Sequence, residues 1–488
     1  MLLRALALLL PVALGPSVAV AAGLAVLHDG SFREWRRLDP VVSDPGGDGA
    51  SDGLDLGRLW LADDGEALYL RLEIGRETIL QNPPTEAAGN ELRLYLDLDD
   101  DTATGRQVEG LGAEMEVRFG ERRTIFYDPS GAGESVDGGR AGVVALPTHS
   151  SEAFEIRVAL PAAAERLALV LADAAPGGDR LPDTGAAAYR LSGKAIGPPR
   201  PIPLSRKKRT DFRLLSLNVE DSLIAKLPAV YRRLLRATDP DLIALQSLRD
   251  WGPAETLAFV EETLPPPDGR RWTAVGHADL VTLSTFPLLA SAPVDGNLAV
   301  HVDLPADRDL VLVNVHLPCC ANDAGRDAES DNLALFWRDL LEGRGLFPVA
   351  PDDAVIYAGD FNFVGFRRQL LAVRDGRFVD PSHGPGFDPG RARGRLATAP
   401  LRHVGERTTV TWRRTTSPFA PGRLDFVFYA GDALKHRRSY VLDTTELAGR
   451  DRRRAGLRRA DTDRASDHLP LVADFRVRSG LPARPARP

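Results

Sequence analysis

Hydrophobic positions follow two different periods along this chain of 488 residues. In the stretch 91–98, Leu92, Leu94, Leu96 and Leu98 occupy every second position, the mark of a strand with one buried face. Segments 59–61 and 67–74 read as two more strands joined by the turn residues Asp63, Asp64 and Gly65, and 154–160 and 167–172 repeat the pattern. Many short strands with no amphipathic helix between them predict an all-β sandwich domain over 23–195.

From 211 to 478 apolar strands alternate with helices. Strands are predicted at 213–219, 242–246, 280–283, 298–302, 310–317, 354–358, 424–428 and 469–475. Between the first two, Leu223, Leu227, Val230, Leu234 and Leu235 keep helical spacing, and 333–341 does the same ahead of the strand at 354. Mixed sheets with helices outside them make a layered α/β sandwich. The Pro- and Arg/Lys-rich segment 196–210 predicts a solvated linker, and the Pro- and Arg-rich end, 479–488, a disordered tail.

The first 22 residues carry Arg4, an apolar run over 5–14 and the small residues Ala19, Ala21 and Ala22, which is a signal-peptide layout. Gly15-Pro16 leaves that run too short for an anchor, so the expectation is a secreted protein, periplasmic or extracellular, with no transmembrane segment in the mature chain. A content of 43% hydrophobic and 26% charged residues excludes a collagen-like, coiled-coil or wholly disordered chain. Net charge is uneven: residues 23–204 hold 18 basic against 31 acidic residues, and 205–488 hold 42 against 37. An anionic substrate is therefore expected to meet the second half. The two cysteines, Cys319 and Cys320, are adjacent, which rules out a cross-linked framework and lacks the spacing of a metal site. They read as two buried thiols, with a labile vicinal disulfide as the alternative.

Candidate chemistry gathers where the apolar strands of the second half run out: Asn218 and Glu220, His316, Asp360 and Asn362, Asp425, then Asp467 and His468. Strand ends are where sheet-based sites are built. Residues i and i+2 of a strand share a face, which pairs Asn218 with Glu220 and Asp360 with Asn362 if the chain stays extended. Hydrolysis of a phosphate ester needs a cation on the phosphate oxygens, an activated water and a neutralised leaving oxygen, and Asp, Asn and His supply these.

The motifs holding these residues resemble those of the endonuclease/exonuclease/phosphatase family. They are Ser-Leu-Asn-Val-Glu at 216–220, Asp-Leu-Ile-Ala-Leu-Gln at 241–246, Leu-Ser-Thr-Phe-Pro-Leu at 283–288, Val-Asn-Val-His-Leu at 313–317, Gly-Asp-Phe-Asn at 359–362, Arg-Leu-Asp-Phe-Val-Phe at 423–428 and Ser-Asp-His-Leu-Pro-Leu at 466–471. The resemblance implies a four-layered α/β sandwich and metal-assisted hydrolysis of phosphodiesters or phosphomonoesters, with nucleic acid or a lipid head group as substrate. It implies Mg2+ or Mn2+ held by Asn218, Asp467 and one further acid. It also makes Asp360 the residue that orients or deprotonates water, Asn362 a donor to the phosphate, His468 a cationic donor steadied by Asp425, and His316 a group serving the phosphate or leaving group. The second motif departs from the family, because Leu245-Gln246 is followed by Ser247 where a metal-binding Glu is usual. Glu220 is the candidate substitute, and a catalytically weakened or inactive binding protein is the alternative reading. Trp412 matches a family aromatic position and reads as a core residue. The arginines at 452–454, 458 and 459 read as a solvated loop.

In the first half, Asp97, Asp99 and Asp101 crowd a turn with Asp100, a candidate Ca2+ site. With Asp29-Gly30 and Glu34-Trp35, this Asp-rich turn resembles family 9 carbohydrate-binding modules, which implies a glycan or cell surface as partner. Trp35, Trp60 and Tyr69 are either sugar-stacking or core residues.

Overall fold

The computed structural model describes residues 19–20, 23–49, 53–161, 164–266, 269–305 and 308–478. The expected signal peptide (1–22, but for the backbone of Ala19–Val20) and the expected tail (479–488) lie outside them.

Strands up to Arg190 form an eight-stranded sheet, a five-stranded sheet and a two-stranded ribbon of Arg106–Val108 with Leu111–Ala113. The central pairs are antiparallel: Leu92–Asp97 against Arg166–Asp173 in one sheet, Ala67–Thr78 against Ser151–Ala159 in the other. Their inner faces meet in one core, where Leu94, Leu96, Leu169 and Leu171 pack with Leu70, Leu72 and Ile156. The leucine alternation at 92–96 therefore reports the buried face directly, as expected for an all-β sandwich. Trp35, Trp60 and Tyr69 are all core residues of a smaller apolar cluster.

Strands from Phe212 onward form two six-stranded sheets. In the first, Leu242–Gln246 and Leu471–Val477 flank Phe212–Asn218; in the second, Arg308–His316 and Asp425–Tyr429 flank Ala354–Asp360. Every residue of Phe212–Asn218, Leu242–Gln246 and Ala354–Asp360 is buried, as for strands covered on both faces. Leu214 and Ala244 point between the sheets toward Leu312 and Ala358. Leu215 and Ile243 point outward to Val230 and Leu234 of the helix Pro228–Thr238. Beyond the other sheet, Leu333, Trp337 and Leu340 of the helix Asp323–Leu341 complete four layers.

Three local expectations change. The helix predicted through 223–235 is broken at Leu227 into Leu223–Lys226 and Pro228–Thr238, because Pro228 cannot continue a helix but starts one well. The strands Thr273–His277 and Leu434–Val441 carry too many polar or charged residues to show an apolar pattern, and Leu288–Val294, though mostly apolar, holds Pro293, which reads against a strand. The segment 196–210 is not a free linker. Ile202 N–H donates to Val404, Lys207 N–H to Asp474, and Arg206 pairs with Asp241 at 2.5 Å, so it lies along the second half.

Backbone bonds also join the two halves directly. His28 N–H donates to Arg407 and its carbonyl accepts from Thr409, Ser150 N–H donates to Gly365, and Gly138 and Gly139 donate to Pro418 and Ser417.

Candidate active site

Register places the site. His316, Asp360 and Asp425 are direct partners across three neighbouring strands, so their side chains emerge at one sheet end. Asn218 ends the central strand of the facing sheet, and His468 lies just ahead of the strand that pairs with it. Gln246 Nε2 donates to Asn314 Oδ1 at 2.7 Å, bridging the two sheets beneath the site.

Asp360 is the hub. Its Oδ2 accepts from Asn218 Nδ2 at 3.1 Å and Asn362 Nδ2 at 3.0 Å, and its Oδ1 accepts from Asn362 N–H. The Nε2 atoms of His468 and His316 stand 3.6 and 3.8 Å from Oδ2. Burial, with Asp425 adding repulsion, holds the Asp360 carboxyl above its usual range, while the two histidines pull it back. His468 Nδ1 is held by both oxygens of Asp425, at 3.1 and 2.9 Å. Burial opposes a charge on that ring, but Asp425 and Asp360 outweigh it and push His468 up to about 10, so it is imidazolium at neutral pH. His316 repeats the arrangement with Asp279 at 3.0 Å; burial again opposes the charge, and Asp279 and Asp360 raise its pKa.

Beside this group a second set of oxygens faces the same cleft: Asn218, Glu220, Ser247 and Asp467. Glu220 does not share a strand face with Asn218. The chain turns left-handed through Glu220, Asp221 and Ser222 (φ 41, 48 and 61°), and Glu220 N–H donates back to Asn218 Oδ1. That turn brings Glu220 Oε2 to Asp467 N–H at 3.0 Å. Ser247, itself at φ 65°, supports the turn, its hydroxyl accepting from Asp221 N–H. The Arg414 guanidinium reaches both carboxylates, 3.2 Å from Glu220 and 3.5 Å from Asp467. An all-oxygen, doubly anionic set that already draws in a cation suits a hard divalent ion such as Mg2+ or Mn2+.

Several sequence expectations are corrected here. Asn362 sits at φ 45° with its amide on Leu317 O and Asp360, so it braces the hub rather than extending from the strand beside it. Trp412 is half-buried on the cleft wall, donating to Asp467 Oδ2 at 3.0 Å, rather than a core residue. Cys319 and Cys320 are exposed on the cleft rim and joined as a disulfide, because they lie in a loop beyond the strand end rather than in a layer. Asp279 and Arg414 were missed as partners because nothing near them in sequence marks the pairing. Gln81 and Thr148 of the first half also line the cleft, a long-range contact with no local signal.

At the Asp-rich turn, Asp99 and Glu114 share the hydroxyl of Thr104, and Asp97 is buried with its Oδ1 lacking a hydrogen-bond partner. Burial, then Glu114, raises Asp97 to about 6. The Asp101 carboxylate instead closes the turn onto Ala103 N–H. Glu114, in the bend between the strands Leu111–Ala113 and Met115–Arg118, is the acid that sequence reading overlooked.

Residues 227–468 match the model of the Endonuclease/Exonuclease/phosphatase family. No curated protein matches the chain. Among solved structures, a Staphylococcus aureus beta toxin is 14% identical, covering 54% of this chain and 99% of its own, with a TM-score of 0.32. Sphingomyelinase C from Streptomyces griseocarneus is 15% identical over 54% of this chain and 98% of its own, at 0.32. A family 9 carbohydrate binding module from Caldicellulosiruptor kristjanssonii, in complex with cellotriose, is 14% identical over 36% of this chain and 94% of its own, at 0.24.

Proposed function

We propose that the protein is an exported, metal-dependent phosphoesterase that hydrolyses a phosphodiester or phosphomonoester. The observation that carries this reading is a buried carboxylate, Asp360, set between two histidines that each have their own carboxylate partner. In that setting Asp360 accepts the proton of an attacking water. His468, kept cationic by Asp425, donates to a phosphoryl oxygen as negative charge builds there. His316, steadied by Asp279, faces the same phosphate or its leaving oxygen. Glu220, Asp467 and Asn218 are the residues that would hold a divalent cation, which supplies charge neutralisation at the phosphate.

A cleft of about 280 Å³, walled by Thr148, Gln81 and Phe419, suits a compact ester such as a lipid head group or one nucleotide of a strand. Export rests on the leader-like residues 1–22; no helix among the described residues is long and apolar enough to cross a membrane. A glycan or surface role for the first domain has less behind it, since Trp35, Trp60 and Tyr69 are core residues.

A second reading, a binding protein on a catalytic scaffold, is favoured by Ser247 and by the Arg414 bridge. Assaying the full chain on a panel of phosphate esters with Mg2+, Mn2+ or chelator separates the two. The first reading expects metal-stimulated turnover, reduced about a hundredfold or more in Asp360→Asn and in His468→Ala. Wild-type turnover in either folded variant sinks the assignment, and no hydrolysis of any ester by the native chain leaves the binding protein.

A further inference from the structure

Behind the catalytic cleft, across Thr148, the two halves of the chain enclose a larger cavity of about 780 Å³. Its charge is one-sided: Arg33, Arg367, Arg374, Arg402 and Arg423 line it against a single acid, Asp29. Two of these cations are already engaged. Arg374 is held by Asp375 at 2.5 and 2.8 Å, and Arg402 donates to the carbonyls of Glu406 and Arg200.

Arg423 is not engaged in that way. Its Nε and Nη2 are shut off from solvent with no hydrogen-bond partner, while the guanidinium lies 4.5 Å from the centre of the Phe426 ring. Burial depresses it to about 10, with only Asp29 opposing. Leaving charged donors unsatisfied is costly, so a guanidinium in this state gains by turning toward any acceptor that enters the cavity. Arginine presents its donors as a planar fork that matches two oxygens of one anion. His149, on the same wall, is held down to about 4 by burial and by Arg367 and Arg374, so it stands neutral. Low-dielectric walls such as Phe426 and Phe428 strengthen the field of the remaining cations.

We propose that this interdomain cavity is a binding site for an oxyanion, the phosphate, sulfate or carboxylate head of a small anionic molecule. The site is separate from the catalytic groups and would tie the two halves together, since its walls come from both. It stands whether or not the chain is a phosphoesterase.

Crystals of the full chain soaked in selenate locate such sites by anomalous scattering. A peak in this cavity within hydrogen-bond reach of Arg423 bears the proposal out; selenate only in the catalytic cleft, or nowhere, overturns it. In solution, calorimetric titration on a His316→Ala, His468→Ala background, which removes both histidine donors of the cleft, reads the cavity. Inorganic phosphate and octyl phosphate of equal affinity assign a free oxyanion, whereas octyl phosphate tighter by about tenfold or more assigns a lipid-like ligand. Arg423→Gln should weaken whichever binds by about tenfold or more. Arg367→Gln, at an exposed position, serves if the first variant fails to fold. Unchanged affinity in a folded variant overturns the proposal.

Discussion

At the scale of single residues, the departure at Ser247 changes what the neighbouring side chains do. A Glu there would put a third carboxylate beside Glu220 and Asp467; the serine hydroxyl instead props a left-handed turn by accepting from Asp221 N–H. Ser222 extends the support, its Oγ accepting from Arg249 and Asp250. Three consecutive non-glycine residues at positive φ cost about 1 kcal/mol or more each, and such strain persists where surroundings hold it, commonly at functional sites. The return is Glu220 placed against Asp467, with Arg414 as the cation nearby. A metal entering this pair must displace a guanidinium that is half exposed. Arg414→Gln is therefore expected to tighten Mn2+ in calorimetry by several-fold, and Ser247→Glu by about tenfold or more. Glu220→Gln should weaken it. Weaker or unchanged Mn2+ binding in Arg414→Gln would show that Arg414 does not compete for these carboxylates.

At the scale of elements, the strands and the carboxylates at their ends were legible because each is a local pattern: an apolar run closed by Asp, Asn or His. Leu242–Gln246 is found at its expected bounds, and Asp360, Asp425 and His316 fall in one register. What sequence could not carry was pairing between distant elements, as with Asp279 under His316 or Glu114 beside the Asp-rich turn. The turn makes one prediction. Ca2+ at millimolar concentration should raise the melting temperature of the full chain by mass action, and Asp97→Asn should abolish the shift; no shift in the wild type rules the site out. The loop 413–421 makes another. It carries Arg414 and the cleft residues Phe419 and Ala420, and the first half grips it through Gly138, Gly139, Gln81 Oε1 on Ala420 N–H, and Arg122 over Phe419 at 4.3 Å. A Cβ on Gly139 would come within 2.1 Å of Arg414 O and 2.8 Å of Ser417 O, both backbone atoms that cannot rotate away. Gly139→Ala should thus push the loop into the cleft and raise KM several-fold in a folded protein. An unchanged KM would show that the loop does not need this contact.

At the scale of the whole molecule, the seam between the halves is built around buried groups that titrate in opposite senses. His28, 1% exposed, gives its N–H to Arg407 and its carbonyl to Thr409, and its Nε2 lies 3.0 Å from the carbonyl of Glu155. Burial lowers the ring from 6.5 to about 4, so folded His28 is neutral where an unfolded chain would take up a proton. The stability this neutral ring supplies is complete above pH 6.5, declines as pH falls, and is lost by pH 4, a change of about 3 kcal/mol at most. Glu155 runs the other way. Burial raises it to about 7, so protonating it stabilises the fold as pH falls from 7 toward 4.5, despite the bonds its carboxylate accepts from Trp35, Asp29 and Gly30. The two contributions offset over that window. Replacing His28 by Gln, which keeps an amide donor but does not titrate, should leave the Glu155 contribution uncompensated. The melting temperature of His28→Gln should then fall less than that of the wild type between pH 7 and pH 4.5, by about 1 °C for each kcal/mol removed in a chain of this length. Parallel losses in the two proteins over that window would mean that His28 does not set the acid sensitivity of the seam.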